Sequence, residues 1–281
     1  MSRTALLAAA GRMAERRRAD RLFDDALARE FLTAAGGPAG PDESTDRVAR
    51  ILGDMFALRS WYFDERLLEF TARGGRQVVI LAAGLDARAF RLGWPSGTTV
   101  FELDLPPLLR FKEDVLSTTG HQPRCHRKVV PTDLAGEWTS ALAAAGFDRF
   151  RPTAWLAEGL LLYLTPEQGD HVITDLTTLS GRGSLLLIEH VNKAAQTSPE
   201  GRTVAAHVAR MGEPWRSHLD EPAKWLARFG WRTDIRDIRE LALAHGRPVS
   251  PFAGPNPADH RRVWCLTATS SPDLNGTEPT E

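Results

Sequence analysis

The chain of 281 residues holds only two cysteines, Cys125 and Cys265. Two cannot build a disulfide framework, and they lack metal-ligand spacing, so no metal is expected. Both sit in apolar segments and read as buried free thiols. Long apolar runs are missing as well. None approaches the ~18–20 residues of a membrane span, so no membrane partner is expected. The opening MSRTALLAAAGRMAERRRAD has a brief apolar stretch but meets Glu15, Arg16, Arg17 and Arg18 at once. That is not the layout of a signal peptide, and a reducing cytoplasm is the expected compartment. Charge of one sign is also lacking. The formal net charge is −1, so no global field draws in nucleic acid, and the arginine triplet reads as a solvated helix face. With 42% hydrophobic and 25% charged residues, the chain has the composition and length to bury a full core without staples. The oligomeric state stays open.

What is present is a change of pattern along the chain. Residues 4–18 read as an Ala- and Leu-rich helix, and a second helix runs from Asp25 to Ala34. GGPAGP at 36–41 is a break. Ser44 then caps one long helix to about Ala72, with apolar residues at Val48, Ile51, Leu52, Met55, Phe56 and Leu67. Residues 1–72 are therefore expected to form a helical cover. Strand candidates follow: QVVILAAG (77–84), TTVFEL (98–103), RCHRKVV (124–130), TAWLAEG (153–159) and SLLLIEH (184–190). Helical segments at 86–93, 106–117 and 166–179 separate most of them, so the fold class is α/β with a parallel sheet. After a helix at 221–229, GWRTDIRDI (230–238) and RRVWCLTATS (261–270) are joined by a Pro/Gly-rich loop with no helix of useful length. They are expected to close the sheet as an antiparallel hairpin. The main domain then spans 73–270, with an insertion at 191–222, and residues 271–281 read as a disordered tail.

Four motifs carry chemistry. The first is the turn Leu81-Ala82-Ala83-Gly84-Leu85-Asp86-Ala87-Arg88 after the first strand. Ligands bind at the carboxyl ends of such strands, and Gly84 leaves its backbone open to approach. A tight turn explains a lone glycine equally well. The third glycine of a dinucleotide loop is missing, because Ala87 stands in its place; that argues against NAD or FAD. The second is Asp104, 20 residues after Gly84, where an acid accepts hydrogen bonds from ribose hydroxyls. The third is Asp133-Leu134, with Asp133 able to reach an adenine amine or to cap the next helix. The fourth is Glu158, closing an apolar strand where a carboxylate needs a partner, either a structural ion pair or a ligand cation.

Taken together, the motifs resemble the leucine carboxyl methyltransferase-like family, in particular an actinobacterial branch of S-adenosylmethionine-dependent methyltransferases. The likeness runs from Thr4 to about Thr269. It rests on TALLAAAGRMAE with RADRLFDDALAREF, on RQVVILAAGLDARAFRL with VFELDLP, and on VPTDL and TAWLAEGLLLYLTPEQ. It implies a Rossmann-like class I methyltransferase fold with S-adenosyl-L-methionine as cofactor. By resemblance, Arg59 binds the cofactor carboxylate, Gly84 belongs to the binding loop and Asp104 takes the ribose. Asp133 and Leu134 flank adenine, and Glu158 is the acid after the fourth strand. The branch often has Gly at the position of Ala82 and Thr at that of Ala87.

The implied reaction is methyl transfer to oxygen, most simply to a carboxylate of a small molecule (a secondary metabolite, for instance) or of a peptide end. A carboxylate is already ionised and needs no base, whereas a phenol or alcohol does. His190, ending the fifth strand, is the foremost base candidate and His171 the next, although a lone histidine at such a place is more often a structural hydrogen-bonder. The acceptor wall is expected from the N-terminal helices and from 191–222, with Met211, Trp215 and His218. The alternatives are a hydroxyl or phenol O-methyltransferase, a non-catalytic adenosyl-ligand-binding protein and an NAD-dependent reductase.

Overall fold

The computed structural model describes residues 2–37, 43–256 and 258–270. Seven strands form one sheet: β1 (Gln77–Leu81), β2 (Thr99–Asp104), β3 (His126–Pro131), β4 (Thr153–Ala157), β5 (Leu185–Val191), β6 (Trp231–Asp237) and β7 (Val263–Ser270). Their order is β3-β2-β1-β4-β5-β7-β6. The first five strands pair in parallel, and β7 lies antiparallel between β5 and β6. This is the Rossmann-like methyltransferase sheet, mostly parallel with an antiparallel C-terminal pair. Burial follows position. β1, β4 and β5 are buried at every residue, as strands covered on both faces must be, while the edge strands β3 and β6 alternate. The chain builds outward from β1 to β3, then returns to β4 on the other side of β1. That reversal opens a crevice at the carboxyl ends of β1 and β4.

Among the described residues, twelve α-helices surround the sheet: α1 (Arg3–Arg16), α2 (Ala26–Ala34), α3 (Glu43–Leu52), α4 (Met55–Ala72), α5 (Arg88–Arg91), α6 (Pro106–Thr119), α7 (Thr139–Ala144), α8 (Pro166–Thr178), α9 (Lys193–Thr197), α10 (Pro199–Arg210), α11 (Pro222–Ala227) and α12 (Ile238–Ala244). The expected long helix from Ser44 is two. Gly53 adopts φ +52° and its N–H caps the Ala49 carbonyl at 2.8 Å; Asp54 then opens α4. A left-handed glycine ends a helix cleanly, so the apolar periodicity on either side misleads. α3 begins at Glu43, which places Ser44 inside it. The β6–β7 connection also departs from expectation by holding α12. Its apolar residues Ile238, Leu241 and Ala242 follow helical spacing, and Asp237 accepts the Arg239 N–H at 3.0 Å as its cap. The insertion at 191–222 contains α9 and α10. Residues 38–41 of the expected break and the tail at 271–281 lie outside the described residues.

Two buried ion pairs seat the N-terminal helices over the crevice. Arg247 meets Glu15 of α1 at 2.9 Å and Asp54 at 3.2 Å. Arg12 of α1 bonds Asp25 and the Leu85 carbonyl, each at 2.7 Å, and so ties the cover to the turn after β1. No helix among the described residues is long and apolar enough to cross a membrane.

Candidate active site

A cavity of about 580 Å³ lies at the carboxyl ends of β1, β2, β4 and β5. Its floor is the turn after β1. Ala82 there has φ +50° and Gly84 φ +48°. The Gly84 N–H donates to Asp104 Oδ2 at 2.6 Å, and the Leu105 N–H donates to Oδ1 at 2.7 Å. Each carboxylate oxygen keeps a second lone-pair direction, so Asp104 can still accept from a ligand's hydroxyl pair. Burial lifts its pKa above the ordinary value, and the two N–H groups oppose that in part. A Cβ on Gly84 would stand 3.5 Å from the Ala5 methyl of α1 and 4.0 Å from Asp104 Oδ2, so bare backbone is what the turn presents here.

Ala82 explains a departure noted in the sequence. A left-handed conformation costs an L-residue about 1–2 kcal/mol, strain that a glycine at this position would avoid. Ala82→Gly should therefore gain about 0.5–1 kcal/mol, net of the freer unfolded chain. Urea unfolding would check this; an unchanged or lower midpoint would mean that the methyl's packing outweighs the backbone relief.

The opposite end of the cavity is built from ions. Arg59 on α4 donates through Nε to Glu158 at 2.7 Å and through Nη1 to Glu189 of β5 at 2.8 Å. Glu189 also accepts the Gly159 N–H at 3.1 Å. Arg88 of α5 contacts Glu158 and Asp64, each at 2.7 Å, and pairs with Asp86. Arg91 joins at Asp64, 2.8 Å. Burial pushes the pKa of Asp86 and Glu158 up, but the neighbouring guanidiniums outweigh it. Asp86 falls to about 2 and Glu158 falls below its ordinary value, so both are ionised at neutral pH. The cavity therefore joins a hydroxyl-accepting carboxylate at one end to two carboxylates suited to a cation at the other.

The structure brings together Arg59, Gly84, Asp104 and Glu158 around this cavity. Asp133 and Leu134 are not part of its lining. Asp133 is exposed and accepts the Ala135 N–H at 2.9 Å, while Leu134 is buried in the core on one side of the sheet. Both follow β3 directly beside Asp104, whose carbonyl accepts the Thr132 N–H at 2.9 Å. His190 is a correction. Glu189 and Val191 line the cavity, and side chains alternate along a strand, so His190 points to the other side. Its Nδ1 accepts the Val191 N–H at 2.8 Å, and Nε2 lies 3.2 Å from Ser217 Oγ, which itself donates to the Leu161 carbonyl. Burial pulls its pKa down to about 4, leaving a neutral structural ring that is too weak a base for a hydroxyl. His171 is exposed on α8 beside Asp175.

Sequence reasoning missed Glu189, Arg88 and Phe252. Glu189 carried a readable signal, an acid in the apolar strand SLLLIEH, the same argument that singled out Glu158. Beyond Glu189 the cavity is mainly apolar and aromatic, with Glu213, which accepts from the Thr4 hydroxyl, also on its wall. The insertion supplies Val204, Val208 and Trp215, the cover supplies Met55 and Phe56, and the β6–β7 connection supplies Phe252.

Sheet order and a cavity at the strand ends define a class I methyltransferase fold. The chain belongs to the leucine carboxyl methyltransferase family, whose model matches residues 5–177. A protein of Parafrankia sp. named as a candidate S-adenosyl-L-methionine-dependent methyltransferase is 41% identical over 264 residues, covering 90% of this chain and 85% of that one. Among solved structures, a DUF574-family protein of Streptomyces avermitilis superposes with TM-score 0.62 at 15% identity, covering 86% of this chain and 96% of the other. A candidate methyltransferase of Thermobifida fusca gives TM-score 0.57 at 19% identity, with 86% and 94% covered. At these identities the structures speak for the fold alone.

Proposed function

We propose that this S-adenosylmethionine-dependent methyltransferase methylates the carboxylate of a hydrophobic small molecule or peptide end, giving a methyl ester. One observation carries the reading. Among the described residues lining the cavity, the titratable groups are carboxylates, guanidiniums and the Tyr163 phenol. Asp86, Glu158 and Glu189 are paired with arginines, Asp104 accepts two backbone N–H groups and Glu213 accepts from the Thr4 hydroxyl, so an acceptor that arrives ionised suits this site best.

The residues fit the cofactor. Asp104 keeps lone pairs for ribose hydroxyls, and Gly84 offers bare backbone beneath them. Asp133 and Leu134, outside the cavity lining but next to Asp104 at the strand edge, are the pair that the family resemblance would assign to adenine. Glu158 and Glu189 face the cationic methionine end. Arg59 commits Nε and Nη1 to those two acids and keeps Nη2 towards Gly159 for a carboxylate. When bound, the cofactor would supply a methyl activated on a sulfonium, which an acceptor oxygen could take while the sulfur leaves as a neutral thioether. The protein's own work is alignment and exclusion of water. Cation and anion cancel as the methyl moves, so apolar walls favour the step.

The test is the lability of the product. The protein is incubated with methyl-labelled cofactor and hydrophobic carboxylic acids beside matched phenols, and the product is treated with mild alkali. The expected result is volatile labelled methanol from the acids. Label that survives alkali, or appears only with phenols, overturns the ester and moves the reading to hydroxyl O-methylation.

A further inference from the structure

Two polar groups in the apolar half of the cavity have no part in holding the cofactor. Trp215 Nε1 is buried and has no acceptor in hydrogen-bond geometry among the described residues. A buried indole N–H normally finds a partner, because leaving it unpaired costs its full desolvation. Its nearest polar neighbour is the Tyr163 hydroxyl; burial pushes that phenol up to about 12, with the Trp215 indole opposing the rise and Glu189 and Glu213 adding to it. It therefore stays a protonated donor at neutral pH.

Their placement is built into the backbone. The Arg216 N–H donates to the Leu162 carbonyl at 2.7 Å, and Ser217 Oγ donates to the Leu161 carbonyl at 2.7 Å. These two bonds strap the segment carrying Trp215 to the turn Leu161–Tyr163 that carries the phenol. Phe252 backs the indole, with ring centroids 5.7 Å apart. Both Trp215 and Tyr163 line the cavity, together with Glu189. The cations nearby are already engaged: Arg59 by Glu158 and Glu189, with its remaining Nη2 assigned above to the cofactor carboxylate, and Arg12 by Asp25 and the Leu85 carbonyl.

We propose that Trp215 Nε1–H and Tyr163 Oη–H form a neutral two-donor clip for the oxygens of an acceptor carboxylate, whose hydrocarbon body lies against Phe252, Val204, Val208 and Met55. This rests on the methyltransferase reading above and narrows its substrate to a small, hydrophobic carboxylic acid. Neutral donors suit the chemistry. They orient the carboxylate without the charge neutralisation that a guanidinium would impose, so the oxygen stays nucleophilic towards a sulfonium. Water is kept out by the apolar walls, which strengthens both hydrogen bonds.

Calorimetry on the full chain loaded with S-adenosylhomocysteine tests the clip, using 3-phenylpropionate and 3-phenylpropan-1-ol as probes. The acid should bind at least tenfold more tightly than the alcohol. Trp215→Phe and Tyr163→Phe should each weaken the acid about tenfold and leave the alcohol unchanged. S-adenosylhomocysteine affinity, measured first, should be unchanged in both variants and certifies their fold. Equal binding of acid and alcohol, or variants that hold the acid as wild type does, overturns the clip while leaving the methyltransferase reading intact. Failure of wild type to bind S-adenosylhomocysteine overturns both.

Discussion

Arg88→Met is expected to destabilise the protein by about 3–5 kcal/mol at pH 7, the usual cost of leaving buried charge without its partner. Arg88 reaches Asp64, Asp86 and Glu158 with one guanidinium and donates to the Ser60 carbonyl at 3.4 Å. After the change Asp64 keeps Arg91 and Glu158 keeps Arg59, but Asp86 loses the group that most lowers its pKa. The loss should depend on pH. In the wild type Asp86 is held at about 2, below its unfolded value. Its contribution is thus full above about pH 4 and fades as pH falls towards 2; the shift alone is worth about 2 kcal/mol. In the variant burial is opposed only by the weaker fields of Lys112, Arg12 and Arg91, so that pKa rises and acid relieves the carboxylate. Urea unfolding at pH 7 and pH 4 should show the gap between variant and wild type narrowing in acid. A gap under ~1 kcal/mol at pH 7, or one that widens in acid, would show that Arg88 is not the hub of these charges. Because Glu158 is held partly by Arg88, S-adenosylhomocysteine binding should weaken as well.

Arg88 also shows where the sequence was legible and where it was not. LAAGLDARAFRL was read as a cofactor turn because it follows an apolar strand, and the structure puts that turn under the cavity. The same string does not say that Arg88 turns inward to Asp64, because that contact joins residues on α5 and α4, two elements whose docking no local pattern encodes. Strand existence and order were readable because β1, β4 and β5 are continuous apolar runs and β6 and β7 lack a full crossover between them. Helix breaks were not: Gly53 sits inside an apolar period that runs through both α3 and α4, and only its left-handed φ separates them. His190 failed through the smallest of shifts. A strand turns successive side chains to opposite faces, so its neighbour Glu189 received the cavity and His190 the core. Arg59, Gly84, Asp104 and Glu158 converge as expected, since each sits at or beside a strand's carboxyl end. The acceptor side was least readable, because Phe252, Trp215 and Met55 come from three distant segments that meet only in the folded chain.

Asp104→Ala should weaken S-adenosylhomocysteine binding by at least about 100-fold, since two hydrogen bonds to a charged acceptor at ~1.5–3 kcal/mol each are lost together with the order of the turn. The carboxylate does two jobs. It fixes the Gly84 and Leu105 N–H groups at 2.6 and 2.7 Å, and it presents its remaining lone pairs to the cavity. Asp104→Asn is the sharper test. Both oxygens already accept a backbone N–H, so the amide must point its NH₂ at one of them, donor against donor. The isosteric variant should therefore bind no better than Ala, although it preserves volume. The wild type should also lose affinity in acid. Burial lifts the Asp104 pKa above the ordinary carboxylate value, so as pH falls the group is protonated sooner than an exposed carboxylate and ceases to accept from both hydroxyls. The Ala variant should show no such dependence from this residue. Calorimetry from pH 7.5 down to pH 4.5, with circular dichroism to confirm the fold, checks all three expectations. If Asn restores wild-type affinity, only one Asp104 oxygen matters and the turn is held by other means; if Ala binds as wild type does, the ribose assignment is wrong.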